Sequence, residues 1–559
     1  MNQRARWKVL PPAPDEYLNI SDIPSVVAQL LYNRDIQIPE IESFISAGSK
    51  LTGDPFLLPD MSLAVSRIYK ALLSKEKIAA FGDFDVDGVT ATTIIVEGLS
   101  WLGADIISYI PDRSNEGHGL NSSAIEKLYT SEVNLIITVD CGVTDLAEAK
   151  QAREMGMDMI ITDHHIPAES LPRAIAVIDP KRKDSVYPYP ELAGAGVAFK
   201  LIQALFHKDS REKRLERLLD LVALATITDL VPLVGENRYL VKEGMKELNN
   251  TQRIGLQEMV KSAGLKLGGL DAKDVSWTLG PRLNAAGRMD NASVSYQLLN
   301  TRSVKEARLL AMDLGEKNAQ RQRTTKEILS KAKEKLAGKM HLPLLIDGDE
   351  DYPVGVIGLV AGKLVDEFCK PAVIISLGPE ICRGSTRSIP QFNMVTALKR
   401  CQDLLDAFGG HPMAAGFSVT PYNLPRLEER LVAIAMEELS CLDLRPELVI
   451  DAELPLSAFA GDVFSSIQEL SPFGRGNPLP VFLTRRVDVA ECRNFGSHSE
   501  WLRLKLKQEN VTWRAVDFGS KKAAEDVPSC IDIVYSLEKS WWNGEGVLSL
   551  NLRDFAPSD

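Results

Sequence analysis

Cysteine is sparse in this chain of 559 residues, and its seven copies are scattered without a C-x-x-C pair. This spacing favours reduced thiols in a cytosolic enzyme over a disulfide framework. Long apolar runs are also missing, because the nearest to a membrane span, residues 219–234, carries Asp229 inside it. We therefore expect no membrane-spanning helix, and the charged N-terminus, which has no apolar run, predicts no signal peptide.

Positive charge is not in excess either. Acidic residues outnumber Lys and Arg by 76 to 64, which gives a formal net charge of −12. This balance excludes a protein that coats nucleic acid by charge alone, but it is compatible with a local basic channel. With 45% hydrophobic and 25% charged residues, the composition is that of an ordinary globular protein. The length predicts roughly three to four domains.

Short β-branched runs alternate with helix-like segments from residue 77 onward, starting at KIAAF and reaching AIAVI (174–178). This alternation predicts βαβ units and a mostly parallel sheet. After about residue 445, five or six short strands split by turn residues predict a small barrel of the oligonucleotide-binding (OB) type. The expected domains are an N-terminal cap (1–60), a first α/β domain (61–302), a connecting helix (303–338), a second α/β domain (339–440) and the barrel (445–559).

The stretch FGDFDVDGVTATTI, residues 81–94, places Asp83, Asp85 and Asp87 on alternate positions and follows them with glycine. Carboxylates at this spacing repel one another unless a positive charge lies among them. A calcium loop of the EF-hand type is excluded, because the twelfth residue counted from Asp83 is Ile94 where a bidentate Glu is required. The acids also follow a predicted strand rather than a helix.

Three more predicted strands end in acids or imidazoles. The strand NLIITV is followed by Asp140, DMIIT by Asp163, His164 and His165, and AIAVI by Asp179. A single Asp at such a place is more often a helix cap, but four strands that deliver such groups to one sheet edge predict a metal site. Carboxylates with an imidazole suit manganese or magnesium better than zinc. Two such ions about 3.5–4 Å apart are the machinery of phosphoester hydrolysis.

At DFDVDG, VDCG and TDHH the chain resembles the DHH phosphoesterase superfamily. Later motifs, in order, are similar to those of the RecJ family of bacterial single-strand-specific exonucleases. These motifs are LATITDLVPL (224–233), LGPRLNAAGRMD (279–290), GVIGLVAGKL (355–364), RGSTRS (383–388), GGHPMAAG (409–416) and SPFGRGNPLPVF (471–482).

The resemblance implies a role for each matching residue. Asp140 would bridge the two ions, and His165 would face the scissile phosphate. The implied metal ligands are Asp83, Asp85, Asp87, Asp140, His164 and Asp229. The implied DNA contacts are Arg113, Arg282, Ser385, Arg387, Gly409, Gly410 and His411. For Arg282, a structural ion pair is as plain an interpretation as a contact with DNA phosphate.

As a whole, the resemblance implies a cytoplasmic, manganese- or magnesium-dependent exonuclease that degrades single-stranded DNA from the 5′ end to 5′-mononucleotides. It implies a role in recombination and repair, a helicase and a single-strand-binding protein as partners, and a monomer. Two alternatives stay open. One is a phosphodiesterase for oligoribonucleotides or cyclic dinucleotides, and the other is a non-catalytic DNA-binding scaffold, which would have lost several ligands.

The barrel is expected to grip the strand away from the reaction centre. Every implied ligand precedes residue 230 and every implied phosphate contact precedes residue 412, so we expect the barrel to hold no part of that centre. Basic and aromatic side chains there suit phosphate contacts and base stacking, although either tryptophan is equally compatible with the barrel core. These side chains are Arg475, Arg485, Arg486, Arg493, Trp501 and Trp513.

Overall fold

A computed structural model of the protein describes residues 5–112, 116, 119–289, 291–459, 461–496, 499–519, 523–542 and 545–558. Within these ranges, no helix combines the length and the apolar character that a membrane span requires. The first elements are strand β1 (Arg6–Val9) and helices α1 (Asp15–Leu18), α2 (Ser25–Asn33) and α3 (Ile41–Ser46).

A parallel five-stranded sheet forms the centre of the first α/β domain. Its strands are β2 (Lys77–Gly82), β3 (Asp105–Tyr109), β4 (Leu135–Val139), β5 (Asp158–Thr162) and β6 (Ala176–Ile178). The order is β3-β2-β4-β5-β6, and all neighbours pair in parallel. Because parallel strands point the same way, the carboxyl ends of β2, β4, β5 and β6 lie at one edge.

Helices cover this sheet and extend beyond it. α9 has the sequence LDLVALATIT, which is apolar on every side, and nine of its ten residues are buried. A helix with this pattern has to lie inside a core. The helices are α4 (Met61–Ser74), α5 (Val86–Trp101), α6 (Ser122–Thr130), α7 (Leu146–Glu154), α8 (Gly194–Leu205), α9 (Leu219–Thr228), α10 (Gly235–Asn249), α11 (Ile254–Ser262), α12 (Ala272–Asp274), a π-helical turn (Val275–Leu279), α13 (Gly280–Met289) and α14 (Ser293–Asn300).

One long helix, α15 (Val304–Leu336), joins the two α/β domains. Its first half buries Ala307 and Leu314 in the core of the first domain. Its last turns bury Ile328 and Leu336 in a separate core that belongs to the second domain. The helix is therefore packed along one stripe at each end, and its charged face points away from both cores.

The second α/β domain contains a mixed sheet in the order β10-β11-β9-β8-β7. Strand β7 pairs in parallel with β8, and the remaining pairs are antiparallel. Its elements are β7 (Leu345–Asp349), α16 (Val354–Phe368), β8 (Ala372–Ser376), β9 (Cys382–Arg387), α17 (Met394–Lys399), β10 (Ala407–His411), β11 (Ala414–Val419) and α18 (Leu424–Leu439).

The C-terminal part forms the predicted barrel. Strands β14-β15-β16-β18-β17 pair in that order, and a further pairing of β14 with β17 closes the ring. Its elements are β12 (Glu447–Ile450), β13 (Ala452–Glu453), α19 (Val463–Gln468), β14 (Phe482–Phe495), β15 (Trp501–Gln508), β16 (Val511–Asp517), β17 (Cys530–Trp542) and β18 (Glu545–Pro557).

The N-terminal segment packs on this barrel rather than on the sheet that follows it in sequence. Strand β1 pairs in parallel with β12, and Leu30 and Leu31 of α2 lie in the same core as Phe482. The fully buried Arg238 of α10 connects this assembly to the first domain. Its guanidinium donates hydrogen bonds to the carbonyl oxygens of Phe44 (2.6 Å), Leu470 (2.7 Å) and Glu469 (3.2 Å).

We expect Arg238→Ala to destabilise the protein by about 3 kcal/mol or more, because it removes three hydrogen bonds together with the packing of a fully buried side chain. Thermal denaturation should show a lower midpoint. Limited proteolysis should cut earlier between the first domain and the barrel. Lys246→Ala on the exposed side of the same helix is the matched control and should leave both readouts unchanged. An unchanged midpoint for Arg238→Ala would contradict this role.

Candidate metal centre

The acid-rich segment after β2 turns tightly into α5. Asp85 caps that helix, since its Oδ1 accepts hydrogen bonds from the main-chain N–H groups of Asp87 (2.9 Å) and Gly88 (3.1 Å). A Cβ atom at Gly88 would lie 2.4 Å from the carbonyl oxygen of Asp83, so only glycine fits there. The N–H of Val86, the residue between Asp85 and Asp87, donates to Oδ1 of Asn284 in α13 at 3.0 Å.

Asp87 is held from the opposite side by the beginning of α8. Its two carboxylate oxygens accept hydrogen bonds from the N–H groups of Gly194 and Ala195, both at 2.7 Å. An α-helix leaves its first N–H groups without partners in the helix, and they favour a negative charge. The carboxylate is almost completely buried, with 1% of its surface exposed.

Asp140 follows β4 in a left-handed backbone conformation, with φ of +59°. Its N–H donates to the carbonyl oxygen of Thr162 at 3.0 Å. A Cβ atom at Gly194 would lie 2.7 Å from Cβ of Asp140, so the start of α8 approaches Asp140 as closely as backbone allows. Asp140 is therefore fixed between β5 and α8.

Asp163 lies below the site and orients the two histidines after it. Its Oδ1 accepts hydrogen bonds from the N–H groups of His164 (2.7 Å) and His165 (3.1 Å), and it lies 2.8 Å from Nδ1 of His165. Its Oδ2 accepts from the N–H of Val143 at 2.9 Å. Bonding to His165 keeps the pKa of Asp163 below its usual value despite burial.

The carboxylates and imidazoles lie close enough together to form three candidate metal-binding sets. Nε2 of His164 lies 3.1 Å from Oδ1 of Asp140 and 3.8 Å from Oδ2 of both Asp87 and Asp229. Three sets have their ligand atoms within 4.8 Å of one another: Asp83, Asp85 and Asp140; Asp87, His164 and Asp229; and Asp140, His164 and His165. Asp140 belongs to the first and third sets, and its Oδ1 lies beside the imidazole of the second set.

Burial and mutual repulsion govern the pKa values of these groups. Burial, followed by the charge of a neighbouring carboxylate, raises the pKa of Asp87 and of Asp229 to about 7. The same two causes raise the pKa of Asp85, and that of Asp140 well above its usual value. Burial lowers the pKa of His164. A hard divalent cation would relieve this repulsion and accept the oxygen-rich ligand set, so the residues fit manganese or magnesium.

His165 differs from His164 in its charge. Burial opposes its protonation, but the bond to Asp163 and the nearby acids raise the pKa of His165 to about 9. Its side chain is 46% exposed, so a protonated imidazole faces the open side of the site at neutral pH. Asp179 also ends a strand at this edge, but among the described residues it joins none of the three sets and instead accepts a hydrogen bond from the N–H of Lys181 at 2.7 Å.

Helix α13 connects the acid loop to the second domain. A Cβ atom at Gly287 would lie 2.6 Å from the carbonyl oxygen of Phe84, and one at Gly355 would lie 2.1 Å from that of Arg288. Both contacts require glycine.

Arg282 on the same helix donates to the carbonyl oxygen of Thr278 at 2.9 Å. Within the described part of the chain, its observed contact is therefore to the main chain rather than to a carboxylate.

The implied DNA contacts of the second domain lie on β9 and β10. Ser385 and Arg387 of β9 lie against α16, where a Cβ atom at Gly358 would be 2.8 Å from Oγ of Ser385. Gly410 has φ of +135°, and its neighbour Gly409 has no atom within 4 Å of an added Cβ, so this edge is open. Burial and then the charge of His165 lower the pKa of His411. Arg113 lies outside the described residues.

The loop that leads into the barrel contacts the segment that follows Asp229, and the expectation that the barrel holds no part of the reaction centre stays a prediction. Arg475, in the loop that leads into the barrel, donates from Nη1 to the carbonyl oxygen of Leu230 at 3.3 Å. Leu230 follows Asp229 directly. Sequence distance concealed this contact, because 245 residues separate the two partners.

Sequence reasoning also missed the groups that hold the ligands in place. It identifies Asp163 only as part of a strand end, and it does not identify the N–H donors of Gly194 and Ala195. The small residues LAGAGVAF (192–199) around the start of α8 are an available signal, since glycine at a helix start permits close approach to a ligand. Asn284 lies inside the motif LGPRLNAAGRMD, but nothing in its spacing indicates a contact with the acid loop.

The fold and the ligand sets define a DHH-type metallophosphoesterase. Residues 77–226 match the family model "DHH family, N-terminal domain", residues 336–437 match "DHHA1 domain", and residues 450–554 match "RecJ OB domain". The chain belongs to the RecJ family. It is 35% identical over 565 residues to the single-stranded-DNA-specific exonuclease RecJ of Bacillus subtilis, covering 100% of this chain and 71% of that protein.

Solved structures agree with this assignment. The crystal structure of RecJ in complex with Mn²⁺ from Thermus thermophilus superposes with a TM-score of 0.85 at 29% identity, covering 100% of this chain and 80% of that one. The Mg²⁺ complex of the same protein gives a TM-score of 0.78 at 27% identity, with 100% and 79% covered. The T. thermophilus sequence is 32% identical over 97% of this chain and 78% of its own length.

Asp140→Asn should remove metal binding without unfolding the protein. Asn tolerates the left-handed backbone of this position and has nearly the same shape, but it cannot bridge two cations. We expect the thermal midpoint to stay equal or rise without metal, the stabilisation by Mn²⁺ to disappear, and phosphodiester cleavage to fall at least about 100-fold. Asp179→Asn, at the same edge, is the control and should keep its Mn²⁺ stabilisation. Near-normal cleavage by folded Asp140→Asn would contradict a bridging role.

The metal-free protein should lose stability as the pH rises from about 4 to about 7. The folded state holds protons on Asp87 and Asp229 up to about pH 7, whereas the unfolded chain releases them near the ordinary pKa of 3.8. The folded state therefore binds more protons across this window, and its stability falls with rising pH. With a chelator, the thermal midpoint should fall as the pH rises across this range. With Mn²⁺, this decline should disappear. A chelated protein that becomes more stable toward pH 7 would contradict the account.

Proposed function

We propose that this protein is a manganese- or magnesium-dependent exonuclease that degrades single-stranded DNA from the 5′ end and releases 5′-mononucleotides. The observation that carries the proposal is the pair of ligand sets that meet at Asp140, in a chain that belongs to the RecJ family. The named relatives are single-stranded-DNA-specific exonucleases. The direction of digestion, the repair role and the cytoplasmic location are the finer parts of the proposal.

Two divalent cations, when bound, supply activation of a water molecule and neutralise charge on the phosphoryl oxygens. The set Asp83, Asp85 and Asp140 would hold one of them, and the set Asp87, His164 and Asp229 the other. His165, protonated because of Asp163, presents a positive N–H group to the open side, where it stabilises charge on a phosphate. Asp163 acts through His165, since it fixes the ring and its proton.

The end of the strand is proposed to bind the second domain. Ser385 and Arg387 lie on one face of β9 against Gly358 of α16, and Nη1 of Arg387 donates to the carbonyl oxygen of Thr386 at 2.8 Å. An anchored guanidinium and a hydroxyl offer the geometry that a terminal phosphate requires. Gly409 leaves the edge at β10 open, and we propose that the single strand passes there.

The barrel is proposed to hold the strand further along. Phe495, Trp501 and Phe518 form an aromatic cluster with ring centroids 5.3 to 6.1 Å apart, and Phe518 is 54% exposed. On the same sheet, a groove of about 280 Å³ is lined by Arg493, Arg503, Lys505 and Arg514 among others. Aromatic rings beside cations suit base stacking and phosphate contact.

Two other barrel residues have structural contacts instead. Arg485 forms ion pairs with Glu453 (3.1 Å) and Asp532 (3.0 Å), and Trp513 packs against the barrel core.

A helicase and a single-strand-binding protein are proposed as partners, because an enzyme that needs a free strand depends on proteins that unwind and coat DNA. A monomer is proposed as the working form.

The test is digestion of single strands labelled at the 5′ or the 3′ end, with and without Mn²⁺. We expect release of 5′ label first, and only with metal. Arg387→Ala should reduce kcat/KM about 10- to 100-fold on strands with a 5′-phosphate and less on strands with a 5′-hydroxyl, since one charged contact is lost. Arg400→Ala, an exposed ion-paired arginine of the same domain, is the control.

Release of 3′ label first would reverse the proposed direction. An equal loss on phosphorylated and unphosphorylated strands would assign Arg387 to general backbone binding. Equal digestion of strands and duplexes would contradict single-strand specificity.

A further inference from the structure

The loop that enters the barrel is held rigidly by its own domain. Main-chain hydrogen bonds join Gly474 and Asn477 in both directions, which leaves Arg475 at the tip of a tight turn. The fully buried Asn477 donates from Nδ2 to the carbonyl oxygens of Leu470 (2.7 Å) and Pro472 (2.8 Å). Its Oδ1 accepts from Nε of Arg34 at 2.8 Å. The tip of the loop is therefore fixed relative to the barrel.

The tip lies against the segment that follows Asp229. The N–H of Leu233 donates to the carbonyl oxygen of Arg475 at 2.7 Å. A Cβ atom at Gly474 would lie 2.7 Å from Cδ1 of Leu233, and Gly476 has φ of +77° with Pro232 3.1 Å from an added Cβ. Glycine on both sides of Arg475 is what permits this close contact.

The side chain of Arg475 is not needed to hold the loop. Main-chain bonds and Asn477 already anchor it, whereas the guanidinium makes one long contact, 3.3 Å from Nη1 to the carbonyl oxygen of Leu230. The residue is exposed, so the remaining donors of its guanidinium are accessible to a ligand. A guanidinium carries five donors, and a single carbonyl uses one of them.

The geometry places Arg475 beside a proposed metal ligand. Its guanidinium lies against Leu230, the residue directly after Asp229, and its main chain is bonded to Leu233. The positive charge therefore lies next to the segment that carries Asp229.

We propose that Arg475 binds the DNA phosphate next to the scissile one, on the barrel side, and so positions the strand for cleavage. The proposal rests on the proposed function, and it assigns to the barrel-entry loop a direct part in substrate binding at the metal centre.

The test compares a trinucleotide, which offers few bases for stacking, with a long single strand. Arg475→Ala should lower kcat/KM about 10- to 100-fold on both substrates, because a charged phosphate contact is lost beside the reacting bond. Trp501→Ala should affect the long strand only. Arg445→Ala, an exposed arginine that pairs with Asp443, is the control and should affect neither.

Two further readouts separate substrate binding from a structural role. The slope of log kcat/KM against log salt should fall by about 0.7 in Arg475→Ala, the value expected for one phosphate contact to a single strand. Arg475→Lys keeps the charge and should recover most of the activity. An unchanged slope, or equal damage by Lys and Ala together with a lower thermal midpoint, would overturn the proposal in favour of loop anchoring.

Different outcomes would contradict the proposed exonuclease function and the proposed role of Arg475. If the unmodified protein cleaves the trinucleotide and Arg475→Ala cleaves it equally well, this inference is wrong and the proposed function stands. If the unmodified protein cleaves neither substrate with Mn²⁺, the proposed function is wrong. Fluorescence anisotropy of a labelled trinucleotide then still tests the subsite, since weaker, less salt-sensitive binding by Arg475→Ala supports it and equal binding contradicts it.

Discussion

Repulsion among buried carboxylates is the constraint on which the rest of this structure depends. Main-chain N–H groups compensate part of it, because the turn into α5 supplies donors to Asp85 and the start of α8 supplies donors to Asp87. Asp85 and Asp87 nevertheless keep raised pKa values, as do Asp140 and Asp229, so hydrogen bonds alone do not balance the charge. A hard divalent cation does so, and it supplies the reactivity that phosphodiester cleavage needs.

The elements that hold the acids also bring the domains together. Helix α13 supports the acid loop through Asn284 and Gly287, and its end receives Gly355 of the second domain. On the other side, the segment after Asp229 receives the barrel-entry loop through Leu233. Each domain therefore contacts a segment that carries or supports a proposed metal ligand. Substrate binding and metal binding are expected to depend on the same contacts.

Much of the fold and part of the site could be predicted, because short apolar strands that end in acids need only local sequence. The parallel sheet and the closed barrel are confirmed. Contacts between distant residues could not be predicted from spacing. Gly194 donates to Asp87 across 107 positions, and Arg475 contacts Leu230 across 245. Packing of the N-terminal helices into the barrel core likewise has no local signal. The individual roles of the site residues, and the domain boundaries, stay predictions.

The number and spacing of bound manganese ions test the central claim most directly. Electron paramagnetic resonance during titration with Mn²⁺ counts tightly bound ions and shows whether they are magnetically coupled. The account predicts two ions per chain with a coupled signal, because Asp140 of one ligand set lies beside His164 of the other, and two ions bridged there would be about 3.5–4 Å apart. One ion per chain, or two ions without coupling, would contradict it.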